Sequence, residues 1–193
     1  MKRVCIFCGS YNGVRTEYAE MASVLATGLA ERGIEIVYGG SKVGLMGIVA
    51  DAALAAGGKV IGVIPKSLMD RELAHARLTA LHVVGTMHER KALMAELSDG
   101  FIALPGGFGT LDELFEIVTW AQLGLHRKPI ALLNVLGFYA PLIEMAQHLV
   151  REGFVTRPVN DLIVAADNPQ TLLNTLETYV PPYVDKWIKK EDL

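Results

Sequence analysis

Chemistry concentrates in one stretch of this sequence, Pro105-Gly106-Gly107-Phe108-Gly109-Thr110-Leu111-Asp112-Glu113, where three glycines within four residues stand ahead of two carboxylates. Glycine lets the backbone pass close to a ligand with no Cβ in the way. Where a helix begins at the end of such a loop, the free N–H groups of its first turn and its dipole favour an anion. The stretch suits a phosphate, with Gly106, Gly107, Phe108, Gly109 and Thr110 as its contacts. The charged residues placed to act on a phosphorylated ligand are Glu113, the Arg90 and Lys91 of Met87-His88-Glu89-Arg90-Lys91, and Glu72. Each also has a plain structural reading. Thr110 and Glu113 match the S/T-x-x-E capping box, in which the Glu side chain returns to the backbone at the helix start. Arg90 could be an exposed helix cation paired with Glu89 or Glu96, and Glu72 a solvated loop carboxylate. Both readings of Glu113 stand at this point, although a box does not require Gly-Gly-x-Gly in front of it.

The surrounding elements must bring these residues together. Phe101 to Leu104 is an apolar strand-like run that stops at Pro105, and Leu111, Leu114, Phe115 and Val118 then keep helical spacing. The same strand, glycine-rich turn and helix recurs earlier in the chain. Val4 to Phe7 leads into Cys8-Gly9-Ser10-Tyr11-Asn12-Gly13 and a helix through Tyr18, Met21, Ala22, Leu25 and Leu29. Ile34 to Tyr38 leads into Gly39-Gly40-Ser41-Lys42-Val43-Gly44-Leu45-Met46-Gly47 and a helix that runs to Ala56. Further strands are expected at Val60 to Ile64, Leu81 to Val84, Pro129 to Leu133 and Leu162 to Ala165. Helices are expected at Met87 to Leu97, Tyr139 to Arg151 and after Asn168-Pro169, and a long loop without clear period at Lys66 to Leu78. Continuous apolar strands alternating with helices predict an α/β, Rossmann-like, doubly wound and mainly parallel sheet with helices on both faces. In such sheets ligands lie beyond the carboxyl ends of the strands, so loops 8–13, 39–47 and 105–110 should face one crevice, and Ser10 and Gly40 join the candidate ligand contacts.

Composition narrows the class. With 193 residues the chain is expected to form one nucleotide-binding domain over 1–180 and a peripheral tail over 181–193. Hydrophobic residues make up 51% and the mean hydropathy is +0.33, yet no apolar run reaches the ~18 residues of a membrane helix. The apolar excess belongs in a large core or a subunit interface. The helix after Thr110 carries two apolar stripes, Leu111, Leu114, Phe115, Val118 and Ile117, Trp120, Ala121, more than one sheet face can cover, so a homodimer is expected. Net charge of -3 and no Lys/Arg-rich run before the tail argue against nucleic acid. Met1-Lys2-Arg3 leads straight into a strand with no signal-peptide pattern, so the expected location is the cytoplasm. Cys5 and Cys8 have C-x-x-C spacing, but residues three apart in a strand face opposite ways, and both should be buried thiols. The five His residues include no i, i+4 pair, and no metal site is expected. No G-x-G-x-x-G follows a strand in the right context, and neither a G-x-x-x-x-G-K-[ST] loop nor a G-x-S-x-G elbow occurs. A nucleotide or sugar-phosphate site of another kind remains.

Met87-His88-Glu89-Arg90-Lys91 followed by Pro105-Gly106-Gly107-Phe108-Gly109-Thr110-Leu111-Asp112-Glu113 resembles the paired signature of the Lonely Guy family. These are phosphoribohydrolases that release a free base from a nucleoside 5′-monophosphate, in plants activating cytokinins. The resemblance extends through Cys8-Gly9-Ser10, Gly39-Gly40-Ser41, Gly44-Leu45-Met46-Gly47 and Ile64-Pro65-Lys66. It implies a Rossmann-like homodimer without a cofactor, with Arg90 and Glu113 catalytic and with Glu72, Lys91, Gly107 to Thr110 and Thr119 in contact with ligand. Cleavage of an N-glycosidic bond passes through an oxocarbenium-like centre, which a carboxylate can stabilise while it activates the attacking water. Glu113 suits that part and Arg90 supplies a fixed cation. Similar signatures occur in molybdenum cofactor carriers, which bind a phosphorylated ligand without chemistry. Members of the family have also been labelled lysine decarboxylases, a reaction that needs pyridoxal phosphate on a Lys and that no spacing here supports.

Overall fold

The structure, a computed structural model, describes residues 1–69 and 74–182. Seven strands form one sheet: β1 (Arg3–Phe7), β2 (Glu35–Tyr38), β3 (Val60–Pro65), β4 (Ala80–Val84), β5 (Gly100–Ala103), β6 (Ile130–Leu133) and β7 (Ile163–Ala166). All six neighbouring pairs are parallel. Residues of β1 alternate between two cores: Val4 and Ile6 pack on one face with α1 (Thr16–Glu31), α2 (Gly44–Ala55) and α8 (Pro169–Glu177). Cys5 and Phe7 pack on the other with α4 (Met87–Leu97) and α5 (Phe108–Gln122). A strand buried on both faces needs apolar residues at every position, which is why β3, β5 and β6 appear in the sequence as unbroken apolar runs, whereas the edge strand β4 is exposed at Leu81, His82 and Val83. Cys5 and Cys8 accordingly lie in different cores as buried free thiols.

The strand order is β4-β3-β2-β1-β5-β6-β7. The chain steps outward from β1 to β4, then crosses back to the other side of β1 and continues outward from β5. The two loops leaving β1 and β5 diverge at this reversal, and the space between them is where an open parallel sheet takes a ligand. The segment expected as a loop after β3 begins with a one-turn helix, α3 (Lys66–Met69), and Ala74 then bridges to Ser41. Glu72 lies outside the described residues. Also unforeseen from periodicity are a 3₁₀ turn at Val135–Gly137 ahead of α6 (Ala140–Arg151), and the short α7 (Arg157–Asn160). Each is too short to show a period. None of the helices described is long and apolar enough to cross a membrane.

The helix boundaries decide the capping question. α5 begins at Phe108 with Gly107 as its N-cap and no side-chain cap, so Thr110 is already its third residue and Glu113 its sixth. Thr110 and Glu113 form no capping box. The box motif is used one helix earlier: Thr86 Oγ1 accepts from the Glu89 N–H at 3.1 Å, and Glu89 Oε2 accepts from the Gly85 N–H at 2.9 Å. That pins the start of α4, with Arg90 as its next residue.

Candidate active site

A cavity of about 610 Å³ opens at the reversal, lined by the loops after β1, β2 and β5 and by the starts of α2 and α5. Its walls are joined by backbone bonds. The Gly9 N–H donates to Pro105 O at 3.1 Å, and the Leu45 N–H to Gly9 O at 3.1 Å. The buried Tyr139 hydroxyl donates to Leu104 O at 2.6 Å and fixes the end of β5 from below. Gly106 is where the turn is tightest: a Cβ there would overlap Thr110 Oγ1 and sit 2.9 Å from the Gly9 nitrogen. Around Gly107 and Gly109 the space is open. The first helical hydrogen bond of α5 that reaches back to the loop runs from Leu111 N–H to Gly107 O, ahead of which the N–H groups of Phe108, Gly109 and Thr110 project from the helix start. The first turn of α5 carries no acidic residue. Dipole and donors together make this end of the cavity an anion site.

Arg90 and Glu113 meet at the cavity wall. Both residues are buried. Arg90 enters from α4 and is held by two carbonyls at the ends of neighbouring strands: Nε donates to Val63 O at 3.1 Å and Nη2 to Gly39 O at 3.2 Å. Nη1 faces Glu113 Oε1 at 3.6 Å. That is an ion pair longer than a hydrogen bond, so the charges compensate without locking together. Burial pushes the Glu113 carboxyl up from 4.5 to about 7; Arg90 pulls it down, Asp112 raises it, and smaller opposing effects come from Lys91 and Glu116. A carboxyl poised there is a base near neutral pH, set by a dry environment and facing a fixed cation.

The cavity takes in most of the residues singled out from sequence. Ser10, Gly106, Gly107, Phe108, Gly109, Thr110, Arg90 and Glu113 all line it. Gly40 does not, whereas its neighbours Gly39 and Ser41 do. Gly40 instead accepts from the His75 N–H at 3.0 Å and packs toward Ile64 and Leu81. The Lys91 side chain is turned to α5, where its Nζ lies 3.1 Å from both Asp112 Oδ2 and Glu116 Oε1. Thr119 is exposed, and its Oγ1 donates to Phe115 O at 2.7 Å. Eleven residues beyond Phe108, it lies about 16 Å along the helix from the anion end at the α-helical rise. Tyr18, Val43, Met46 and Phe138 line the cavity without having been singled out as site residues. Helical spacing marked Tyr18 only as core, and nothing local to Phe138 in the sequence tells that its ring packs edge-on against Tyr18 of α1 at 5.8 Å between centroids.

The geometry has counterparts. The family model described as "Possible lysine decarboxylase" matches residues 46–176. The cytokinin riboside 5′-monophosphate phosphoribohydrolase LOG of Oryza sativa subsp. japonica is 50% identical over 182 residues, 94% of this chain and 75% of that protein. The cytokinin riboside 5′-monophosphate phosphoribohydrolase LOG7 of Arabidopsis thaliana is also 50% identical over 182 residues, 94% of this chain and 84% of that one. The chain belongs to the Lonely Guy family. The fold is shared with the molybdenum cofactor binding protein from Rippkaea orientalis, at a TM-score of 0.70 and 20% identity over 92% of this chain and 97% of that one. It is also shared with the Moco Carrier Protein from Chlamydomonas reinhardtii, at a TM-score of 0.68 and 19% identity over 91% of this chain and 94% of that one. Identities this low speak for fold alone. Among the described residues that line this cavity there is no lysine, the residue type that would carry pyridoxal phosphate. No cluster of metal-binding side chains occurs among the described residues.

Proposed function

We propose that this chain hydrolyses the N-glycosidic bond of AMP or N6-prenyl-AMP, giving the free base and ribose 5-phosphate. The observation that carries the reading is the buried Glu113–Arg90 pair beside the α5 N-terminus, in a chain half identical to curated phosphoribohydrolases. The 5′-phosphate is held by the N–H groups of the 106–110 turn, which brings the C1′–N bond over Glu113. Glu113 stabilises the positive charge that develops on the ribose and takes a proton from the attacking water, while Arg90 orients that water and the ribose oxygens. Ser10, which lines the same cavity, and Glu72 complete the ligand contacts, whereas Gly40, Lys91 and Thr119 lie off this cavity and are left out of them. Residues 1–180 are one domain with 181–193 as its tail, acting in the cytoplasm without a cofactor. A panel of AMP, prenyl-AMP, GMP, CMP and the matching nucleosides, assayed for ribose 5-phosphate, tests this. Binding of AMP with no ribose 5-phosphate released would replace the reading with that of a non-catalytic carrier.

The working form is a homodimer. On α5, Leu114, Ile117 and Ala121 are buried against the sheet, while Phe115 is 47% exposed and Trp120 and Val118 are half-buried. α6 has Leu142, Ile143 and Met145 and no fully buried residue. A second copy packed on these faces would cover them and bring the exposed Thr119 to the interface. Sedimentation at micromolar concentration should give twice the chain mass. A monomer there would remove the dimer.

A further inference from the structure

The missing side chain of Gly39 does a job that the backbone does not ask of it. Glycine is needed where φ is positive, as at neighbouring Gly40, whose φ is +75°. Gly39 is absent from the positive-φ residues, so no left-handed backbone calls for glycine there. What excludes a side chain is Arg90. A Cβ on Gly39 would fall inside the van der Waals radius of Arg90 Nη2, 3.0 Å from Cζ and 3.2 Å from Met46 Sδ. Gly39 and the guanidinium are buried and Met46 closes a third side, so a Cβ at position 39 is accommodated only if the guanidinium shifts toward the cavity that it lines.

We infer that Gly39 is a positioning residue of the active site: its bare Cα and its carbonyl, with the carbonyl of Val63, form a seat that fixes the Arg90 guanidinium opposite Glu113. The seat uses the ends of two adjacent parallel strands. Tyr38, the last residue of β2, pairs in register with Gly62, so Gly39 and Val63 carry their carbonyls side by side. With Nε and Nη2 taken up by these two acceptors, Nη1 is the edge left to face Glu113. A lysine could satisfy one acceptor but not hold that fork. A Cβ at position 39 would take the place of Nη2, break the Gly39 hydrogen bond and drive the guanidinium off the Glu113 carboxylate. The effect on catalysis rests on the hydrolase reading, but the seat does not, and its test reads the two separately.

The direct readout is the titration of the Glu113 carboxyl by carbon-detected NMR on protein labelled at Glu side-chain carbons, assigned with Glu113→Gln. Arg90, Lys91, Asp112, Glu116 and the buried thiols Cys5 and Cys8 are the ionisable groups that feel this carboxyl, and the variants alter only Arg90 or its seat. Gly39→Ala should raise the midpoint, Arg90→Gln should raise it by a similar amount, and the double variant should match Arg90→Gln alone, because a displaced cation cannot be displaced twice. In turnover of AMP, Gly39→Ala should lower kcat by about 10²-fold with KM within about threefold, as expected when a group that acts in the transition state is misplaced. A Glu113 midpoint in Gly39→Ala that stays at the wild-type value in folded protein would overturn the proposal, as would additive shifts in the double variant. If the wild-type chain releases no ribose 5-phosphate, the hydrolase reading fails while the titration still decides on the seat. Should Gly39→Ala fail to fold, Gly39→Ala in the Arg90→Gln background should fold, since the group it strikes is shortened; unfolding of that double variant as well would show that the glycine serves the turn and not Arg90.

Discussion

Glu113→Gln should lower kcat for AMP hydrolysis by about 10²–10⁴-fold, the range for a positioned acid–base group. The substitution keeps the size and hydrogen-bonding capacity of the side chain and removes its charge. Because Thr110 is the third residue of α5 and the helix start is capped without Glu113, no cap is lost. Full activity in the variant would remove the mechanism. Wild-type kcat should rise with pH through about 7, where Glu113 ionises, and level off above it. The same displaced carboxyl has a stability signature with a defined sign. Its folded pKa, about 7, lies above its ordinary 4.5, so the folded state holds a proton that the unfolded chain has given up between those values. Stability conferred by the protonated form is complete below pH 4.5 and is lost as pH rises through 7, a change of about 3 kcal/mol at 1.36 kcal/mol per unit. Relative to Glu113→Gln, the wild type should therefore weaken by about that amount between pH 4.5 and pH 8, as read by denaturant melts. A constant difference across that range would mean that Glu113 titrates normally and is not held in a dry site.

How much of this was legible before the structure depends on how local each signal is. The strands and long helices were readable because a strand buried on both faces must be apolar throughout and a helix must repeat its apolar residues every three or four positions. The crevice could be placed at the three glycine-rich loops because ligands of an open parallel sheet lie beyond the carboxyl ends of its strands, whereas the strand order came from the structure alone. The role of Glu113 was open for a reason that lies in two residues. Had α5 begun after Thr110, Glu113 would have been its capping carboxylate; it begins at Phe108, and the extra turn swings Glu113 into the cavity. No propensity distinguishes Phe108-Gly109 as helix from the same pair as loop. The Thr86–Glu89 box was equally present in the sequence, hidden by the Arg90-Lys91 that follows it. The adjacent cations then part company, Arg90 into the crevice and Lys91 across to Asp112 and Glu116, because neighbours on a helix are about 100° apart. The resemblance that brought both to a ligand could not show that division. The seat at Gly39 and Val63 was beyond reach, since it joins carbonyls 24 residues apart to a guanidinium on a third element.

AMP should be turned over with a kcat/KM at least about 10³-fold above that of adenosine, although the bond broken is the same in both. The reasoning starts from the donors. At the α5 N-terminus Phe108, Gly109 and Thr110 line the cavity with N–H groups that precede the first helical bond back to the loop, with the helix dipole behind them and no acidic side chain in the first turn to oppose an anion. Hydrogen bonds to a charged acceptor are worth about 1.5–3 kcal/mol each, and two formed with net gain already reach the 4 kcal/mol that corresponds to a thousandfold. Part of that energy should appear in kcat. The phosphate is remote from the C1′–N bond, and holding it at one end of the cavity uses binding energy to place the bond against Glu113 at the other. Adenosine lacks that anchor, so it should show both a raised KM and a lowered kcat, and inorganic phosphate should not restore its rate to that of AMP because the tether between anchor and reacting bond is absent. The comparison reads the glycine-rich turn directly: equal kcat/KM for AMP and adenosine would mean that the turn from Gly106 to Thr110 shapes the fold and binds no phosphate.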